Sequence, residues 1–208
     1  MNQGHEEGQK RRSSRIGISG GVGAGKSRVL DWLKEVKHAR VIPTDDVAKE
    51  LMEPGEEGYC RVVEALGTCF LEKDGRINRS YLAKMIFTDP KVKEMVDKLT
   101  HPLVWKAVER MIDQAEEEGF RLIVVESALF SPSVLEFLDE IWLIDAPKDV
   151  RVKRLMESRG YSRERCESML ASQPGQEEYL KTASQVIHNG GSWEETVTEL
   201  ERLTRHKF

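Results

Sequence analysis

Five short apolar runs recur along the chain, and between them apolar residues return every three or four positions. Short runs of this kind predict strands, and the run within residues 120–127 is apolar without interruption at its centre, which indicates burial on both faces. Strands are predicted over residues 15–19, 39–44, 120–127, 140–147 and 184–189. Buried strands that alternate with helices are typical of an α/β fold, so we predict a five-stranded parallel sheet flanked by helices.

Two helices can be placed by their ends as well as by their period. From His101 onwards, apolar residues recur at i, i+3 and i+4, which gives one buried face, and Gly119 is a typical stop signal. Near the end of the chain, Ser192 is followed three residues later by Glu195. This spacing predicts a capping box at the start of the last helix.

Two segments depart from the alternation of strands and helices. Residues 46–118 have helical periods but no convincing core strand, which predicts a helical lobe inserted between the second and third strands. Residues 158–182 are polar and poor in large apolar residues, which predicts a mobile helical lid. The predicted division is a disordered basic leader (1–14), a sheet core (15–45, 119–157 and 183–208), the lobe (46–118) and the lid (158–182).

Composition narrows the class of protein. No apolar run is long enough to cross a bilayer, and the first residues lack the apolar centre of a secretory signal. Three cysteines without C-x-x-C spacing indicate neither a disulfide framework nor a zinc site, and they fit a reducing cytoplasm. A net charge of −4 argues against a dedicated nucleic-acid-binding protein, although the basic cluster at residues 10–15 forms either a solvated leader or a phosphate-attracting arm.

The segment GGVGAGKS, residues 20–27, matches G-x-x-x-x-G-K-[ST] between a predicted strand and a predicted helix. Glycines let the backbone approach a polyanion closely, and the N–H groups of such a loop bind phosphates together with the following helix N-terminus. Lys26 would reach the β- and γ-phosphates of a nucleotide, and the Ser27 hydroxyl would ligate Mg²⁺. The motif predicts a P-loop NTPase fold, and the alternative is a flexible glycine turn.

A P-loop alone is compatible with GTPases, motors, transporter subunits and small-molecule kinases. The chain contains neither N-K-x-D nor D-x-x-G, with which GTPases read guanine and switch, and it is short for a motor. We therefore expect phosphoryl transfer from a nucleoside triphosphate to an acceptor.

Two carboxylates at the predicted carboxyl edge of the sheet are candidates for this reaction. Asp45 lies just beyond the second strand, where it could take the proton of an acceptor hydroxyl. The alternative for Asp45 is an N-cap, a role that Asp46 fits as well or better. Glu126 ends the third strand in a Walker-B pattern, where it could hold a Mg²⁺-bound water or orient the acceptor, and the alternative is a solvent-facing strand end.

Arginines follow the fourth strand and continue into the predicted lid. Such cations could stabilise the charge that spreads over the transferring phosphoryl group, and a lid that closes would exclude water. The alternative for any one of them is a solvated helix face. The candidates are Arg154, Arg159, Arg163 and Arg165.

Taken together, these segments resemble the dephospho-CoA kinase family from about Arg15 to Trp193. The resemblance rests on the segments GISGGVGAGKS, VIPTDDVAKEL, LGTCFLEKDGRINRSYLAKMIF, HPLVW, VVESALF, IWLIDAPKDVRVKRLMESRG and SQPGQEEYLKTASQVIHNGGS. It implies transfer of the ATP γ-phosphate to the ribose 3′-hydroxyl of dephospho-CoA, the last step of coenzyme A synthesis. It also implies a nucleotide-binding core, a helical acceptor-binding lobe and a lid.

The resemblance further implies roles for residues at matching positions. Asp45 falls on the family's catalytic aspartate, and Lys26 and Arg154 join it as catalytic residues. The acceptor-binding candidates are Asp45, Arg79, His101 and Glu126, with Pro102 beside His101 in the same motif. The candidates for binding ATP are Gly23, Ala24, Gly25, Lys26, Ser27, Arg28, Arg154 and Asn189, with Gln173 and Lys181 at polar positions nearby. Mg²⁺ would be held by Ser27, with Glu126 as a second possible ligand.

The sequence departs from the family pattern at two places near these residues. Pro43 stands where the family usually has a first aspartate before the catalytic one, and Arg28 stands where a threonine usually ends the loop. Two further hypotheses stay open: a kinase of the same fold that acts on another small molecule or nucleotide, and an ATP-binding regulatory protein that has lost catalysis. We expect a cytoplasmic monomer or weak homo-oligomer that binds neither membrane nor nucleic acid.

Overall fold

The computed structural model describes residues 13–205 and 207, so that the predicted leader lies almost entirely outside the described residues. Five parallel strands form one sheet in the spatial order β2-β3-β1-β4-β5. The strands are β1 (Ser14–Ser19), β2 (Arg40–Pro43), β3 (Leu122–Glu126), β4 (Glu140–Asp145) and β5 (Gln185–His188). The predicted α/β fold with a five-stranded parallel sheet is therefore confirmed, and every predicted strand is present.

Helices connect the strands and cover both faces of the sheet. They are α1 (Lys26–Lys37), α2 (Thr44–Leu51), α3 (Glu57–Leu66), α4 (Arg79–Thr88), α5 (Pro90–Glu117), α6 (Lys148–Arg159), α7 (Arg163–Ala171), α8 (Gln176–Leu180) and α9 (Trp193–Thr204). A short 3₁₀ helix, Pro132–Glu136, precedes β4. The predicted capping box is confirmed, because the Ser192 hydroxyl accepts from the N–H of Glu195 while the Glu195 carboxylate accepts from the N–H of Ser192.

Alternate residues of the central strands are buried on opposite faces of the sheet. In β3, Leu122 and Val124 pack with α1 and α9, whereas Ile123 and Val125 pack with α2 and α5. The uninterrupted apolar run of this strand is therefore explained, because helices cover the strand on both faces of the sheet. The two clusters form the core that holds the strand ends in place.

Two smaller apolar clusters lie away from the sheet. One joins α3, α4 and the first half of α5 through Val62, Leu82 and Val96. The other joins α6 and α7 through Leu155 and Cys166. The segments predicted as lobe and lid are thus helical and contain apolar clusters of their own, although the functions assigned to them remain predictions.

All five strands run in the same direction, so their carboxyl ends meet at one edge of the sheet. Gly20 follows β1, Asp45 follows β2, Glu126 ends β3 and Asn189 follows β5. In α/β sheets of this type ligands bind outside the carboxyl ends of the strands. The fold therefore brings residues that are far apart in sequence to one edge.

Candidate active site

The loop between β1 and α1 has a backbone that only glycine adopts without strain. Gly23 and Gly25 have φ angles of 78° and 93°. A Cβ atom on Gly25 would lie 2.2 Å from Nδ2 of Asn189, and one on Gly20 would lie 2.4 Å from the carbonyl oxygen of Ile144. Both the conformation and the close packing therefore require glycines, and the loop leads into the N-terminus of α1, where anions bind favourably.

The carbonyl group of Ala24 is held from outside the loop by two side chains. Asn189 Nδ2 donates to Ala24 O at 2.8 Å, and Arg154 Nη1 donates to the same oxygen at 3.2 Å. Asn189 is itself buried and accepts from the Thr196 hydroxyl at 3.1 Å. The peptide that precedes Gly25 is thus fixed by residues from two other strand–helix connections.

Lys26 and Glu126 form an ion pair that is mostly buried. Lys26 Nζ lies 3.8 Å from Glu126 Oε1, and the two side chains are 19% and 18% exposed. The ammonium also donates to the carbonyl oxygen of Gly20 at 2.6 Å. Burial lowers the pKa of Lys26, with the charges of Glu126 and Asp45 opposing that shift, and burial raises the pKa of Glu126 against the opposing charge of Lys26.

Asp45 is exposed and lies in the first turn of α2. Pro43 pairs with Glu126 across the β2–β3 ladder, so Asp45 follows a strand end that adjoins Glu126. Its charge raises the pKa values of both Lys26 and Glu126, which places the three groups within electrostatic reach of one another. The arrangement leaves a carboxylate facing solvent beside the phosphate loop.

The prediction that Asp46 caps α2 is wrong, and Asp45 does not cap it either. The helix begins at Thr44, and its N-cap residue is Pro43, which makes no side-chain capping bond. Pro43 has extended backbone angles, with φ of −77° and ψ of 118°, so it stands outside the helix, and both aspartates lie inside the first turn. Asp46 instead forms an exposed ion pair with Lys49.

Ser27 and Arg28 extend the loop into the first turn of α1, and both are exposed. The Arg28 guanidinium lies 4.1 Å from the centre of the Trp193 ring, a cation–π contact with the start of α9. The Ser27 hydroxyl and the Glu126 carboxylate are oxygen ligands of the kind that Mg²⁺ takes alongside phosphates and water. Among the described residues no group of three or more His, Cys, Asp or Glu could hold a metal ion.

Two predicted acceptor-binding residues lie in the helical lobe and not at the loop. Arg79, at the start of α4, pairs with Glu53, and His101, within α5, lies 3.7 Å from Asp97. Both are largely exposed, and within the part of the chain that the structure describes neither forms a hydrogen bond or ion pair with the phosphate loop. The structure therefore brings together the loop, Asp45, Glu126, Arg154 and Asn189. Arg79 and His101 lie apart from them, on helices α4 and α5.

Arg151 is a residue of this site that the sequence analysis missed. Its guanidinium donates to the Val22 carbonyl oxygen at 2.8 Å and to the Gln173 side chain at 2.6 Å. A signal was available, since Arg151 precedes Arg154 by three residues and residues so spaced share a helix face. Two arginines within the predicted lid are engaged elsewhere, Arg163 with Glu167 and Arg165 over the ring of Tyr161, and the candidate Arg159 is exposed at the end of α6.

Across residues 13–205 and 207, no helix is both long enough and apolar enough to cross a membrane.

Comparison with known proteins gives a specific match. A family model described as dephospho-CoA kinase matches residues 14–195. The dephospho-CoA kinase of Moorella thermoacetica is 35% identical over 197 residues, covering 92% of this chain and 92% of that protein.

Two further similarities agree with this match. The dephospho-CoA kinase of Carboxydothermus hydrogenoformans is 34% identical over 182 residues, covering 87% of this chain and 88% of that protein. A crystallised protein from Thermus thermophilus superposes with a TM-score of 0.72 and 28% identity, covering 94% of this chain and 98% of its own. The similarity therefore extends over sequence and fold, and over nearly the full length of each protein.

Proposed function

We propose a function for this chain from one premise: it belongs to the dephospho-CoA kinase family. The chain transfers the γ-phosphoryl group of ATP to the ribose 3′-hydroxyl of dephospho-CoA, which yields coenzyme A and ADP. The observation that carries this proposal is the family match over residues 14–195, together with a phosphate loop that has an exposed carboxylate, Asp45, beside it.

The loop and Lys26 bind the triphosphate of ATP in this proposal. Backbone N–H groups of Gly23 to Arg28 donate to phosphate oxygens, and the N-terminus of α1 adds its partial positive charge. Lys26 leaves its bond to the Gly20 carbonyl oxygen for the β- and γ-phosphates, a short movement for a side chain that already lies at the loop. Asn189 and Arg154 hold the Ala24 peptide, so they support the loop from behind.

Asp45 acts as the general base. Its carboxylate accepts the proton of the 3′-hydroxyl as the hydroxyl oxygen forms a bond to the γ-phosphorus. The bond between that phosphorus and the β–γ bridging oxygen breaks, and ADP leaves with the electron pair. An exposed position suits this role, because the acceptor must reach the carboxylate from solvent.

Mg²⁺ bound with ATP would be held by the Ser27 hydroxyl and, directly or through water, by Glu126. The ion supplies charge neutralisation at the β- and γ-phosphates. Arg154, on α6, adds a further positive charge beside Ala24. In this proposal that charge stabilises the negative charge that develops on the phosphoryl group in the transition state.

Arg79 and His101 extend the site into the helical lobe. Both are more than half exposed at their side chains, 56% and 67%, so they are accessible to a ligand. We assign them to the acceptor because dephospho-CoA carries a diphosphate, which a guanidinium binds through paired hydrogen bonds. In this proposal the lobe binds the acceptor and the lid covers the nucleotide.

We also propose that the chain works in the cytoplasm as a monomer or weak homo-oligomer, without nucleic acid or membrane. The three free cysteines support a reducing compartment. The net charge of −4 argues against nucleic-acid binding.

The function is tested by measuring ADP release with ATP, Mg²⁺ and dephospho-CoA in a coupled assay. We expect release that depends on dephospho-CoA, and 3′-phosphorylated product by mass spectrometry. Parallel reactions with shikimate, gluconate and nucleosides test the other kinases of this fold. Release no greater than in the acceptor-free blank, or greater with one of these acceptors, would overturn the proposal.

A further inference from the structure

The backbone of one residue of the phosphate loop, Val22, is bound by two side chains from beyond β4. Gln173 Oε1 accepts from the N–H of Val22 at 3.0 Å and from Arg151 Nη2 at 2.6 Å. Arg151 Nε donates to the Val22 carbonyl oxygen at 2.8 Å. Both hydrogen-bonding groups of Val22 are therefore used, and we call Val22, Arg151 and Gln173 the lid clamp.

The lid clamp connects three different parts of the chain. Val22 belongs to the loop, Arg151 to α6, and Gln173 to the connection between α7 and α8. The side chain of Val22 also packs against the apolar cluster of α6 and α7, which includes Val152 and Leu155. Backbone and side chain of this one residue are thus both held by the lid and the helix that leads into it.

The close approach of Arg151 leaves no room for a side chain at two glycines that the phosphate-binding motif does not fix. A Cβ atom on Gly21 would lie 2.2 Å from Arg151 Nη2, and one on Gly23 would lie 2.9 Å from the Arg151 carbonyl oxygen. The motif fixes only Gly20 and Gly25. Glycine at 21 and 23 therefore lets Arg151 approach the loop closely enough to form the clamp.

We propose that Arg151 and Gln173 are positioning residues, which fix the two peptide groups on either side of Val22 and thereby couple the phosphate loop to the lid. This inference rests on the proposed binding of ATP by the loop. Val22 lies directly before Gly23, where the amides assigned to phosphate begin, so loss of these contacts would leave those amides less well oriented. Preorganised donors bind a charged group better than donors that must first be ordered.

The role of Gln173 gives a sharp test, because its oxygen only accepts in the clamp. Glutamate has the same length and also accepts from both donors, so Gln173→Glu should retain the clamp. Methionine has a similar length but no such acceptor, so Gln173→Met should break it. We expect Gln173→Met to weaken ATP binding about tenfold, as for the loss of one or two hydrogen bonds, and Gln173→Glu to stay within about twofold.

ATP affinity is measured by titration calorimetry without acceptor, and KM and kcat follow from the coupled assay. We expect KM for ATP to rise in Gln173→Met while KM for dephospho-CoA stays within about twofold, since the clamp lies at the nucleotide side. A purely structural role predicts a lowered Tm with similar effects on both substrates. Equal ATP affinities of the methionine and glutamate variants would overturn the proposal.

A double-mutant cycle with Arg151→Met tests the coupling. Because Gln173 binds both Val22 and Arg151, the loss of ATP affinity in the double variant should be smaller than the sum of the two single losses. Additive losses would contradict the clamp. Lys153→Met, an exposed change on the same helix at a residue paired with Glu157, is the matched control and should leave ATP affinity unchanged.

The calorimetric arm separates this inference from the proposed function. If the protein binds ATP but does not phosphorylate dephospho-CoA, the proposed acceptor is wrong, and the comparison of Gln173 variants still decides the clamp. If the acceptor is phosphorylated and the Gln173 variants bind ATP alike, the clamp is wrong and the function stands.

Discussion

The ion pairs at the carboxyl edge of the sheet differ from those of the helical lobe. Lys26 and Glu126 are each less than one-fifth exposed, whereas Arg61 and Glu57, a pair on α3, are each about half exposed. Burial shifts the pKa values of Lys26 and Glu126 against their charged forms. The lobe pair joins neighbouring turns of one helix, where a pair contributes little to stability.

This difference indicates what each set of charges is for. A buried ion pair is costly to desolvate, and apolar residues could often replace it without loss of stability. The charges at the sheet edge are therefore explained by ligand binding and catalysis better than by folding. The Arg61–Glu57 pair lies on a solvated helix surface, and changes to it should have small effects.

Asp45→Asn should give the largest effect of any change at the sheet edge. Asparagine keeps the size of the side chain but cannot take the acceptor's proton, so kcat should fall about 10³-fold. ATP affinity by calorimetry should stay within about twofold, because this residue acts in the transfer step. Asp46→Asn is the matched control, with an unchanged kcat expected. Similar losses in both variants would place the base elsewhere.

Lys26→Met should have the second largest effect. Loss of the ammonium removes charge from the phosphates before and during transfer, so ATP affinity and kcat should both fall, with kcat/KM lower by about 10²-fold. Calorimetry measures the loss of ATP affinity, and steady-state kinetics measure the loss of kcat and of kcat/KM. Lys34→Met, an exposed change on the same helix, provides the comparison. A loss confined to kcat would show that Lys26 does not bind ground-state ATP.

Glu126→Gln should reveal the buried carboxylate through the pH dependence of stability. The pKa of Glu126 is raised above its ordinary value of 4.5, so the folded state holds this proton to higher pH than the unfolded state does. Wild-type stability is therefore lost as pH rises from about 4.5 through the folded-state pKa. Relative to wild type, the Tm of the variant should therefore rise between pH 4 and pH 8.

The control for that experiment is Glu57→Gln in the lobe, whose carboxylate is about half exposed. Its Tm difference from wild type should change less with pH than that of Glu126→Gln. A difference for Glu126→Gln that is flat over this range, or falls with pH, would contradict the raised pKa.

Arg61→Gln should give the smallest effect. Its ion pair with Glu57 is exposed and local, so we expect a loss of less than about 0.5 kcal/mol in the free energy of unfolding. Chemical denaturation measures this change, and kcat/KM should stay at the wild-type value. A loss of several kcal/mol would remove the contrast between lobe and sheet edge.

Patterns that are local in sequence predicted much of this molecule. The strands, the phosphate loop and the Ser192–Glu195 capping box each depend on residues close together in the chain. The family resemblance is confirmed by the match over residues 14–195. The residue roles carried over from that resemblance remain predictions, with the experiments above as their tests.

The sequence analysis failed where contacts between distant residues or competing local preferences decide the outcome. Arg151 contacts Val22 across 129 positions of the chain, and periodicity carries no information about such a bond. At α2, the helix begins at Thr44, so both aspartates lie inside its first turn despite the preference of aspartate for the N-cap position. Residue type and spacing therefore predicted candidates at the sheet edge but did not find the side chains that support them.

The 28-residue helix α5 is shared by two packing clusters, which restricts how the lobe can move. Its first part packs within the lobe at Val96, and its second part packs beneath the sheet at Val108. Pro102 lies between them and has no N–H to offer the carbonyl group of Lys98. Lobe and sheet are thus joined through one continuous helix, and the hydrogen bond missing at Pro102, one residue after His101, makes this the point at which the helix resists bending least.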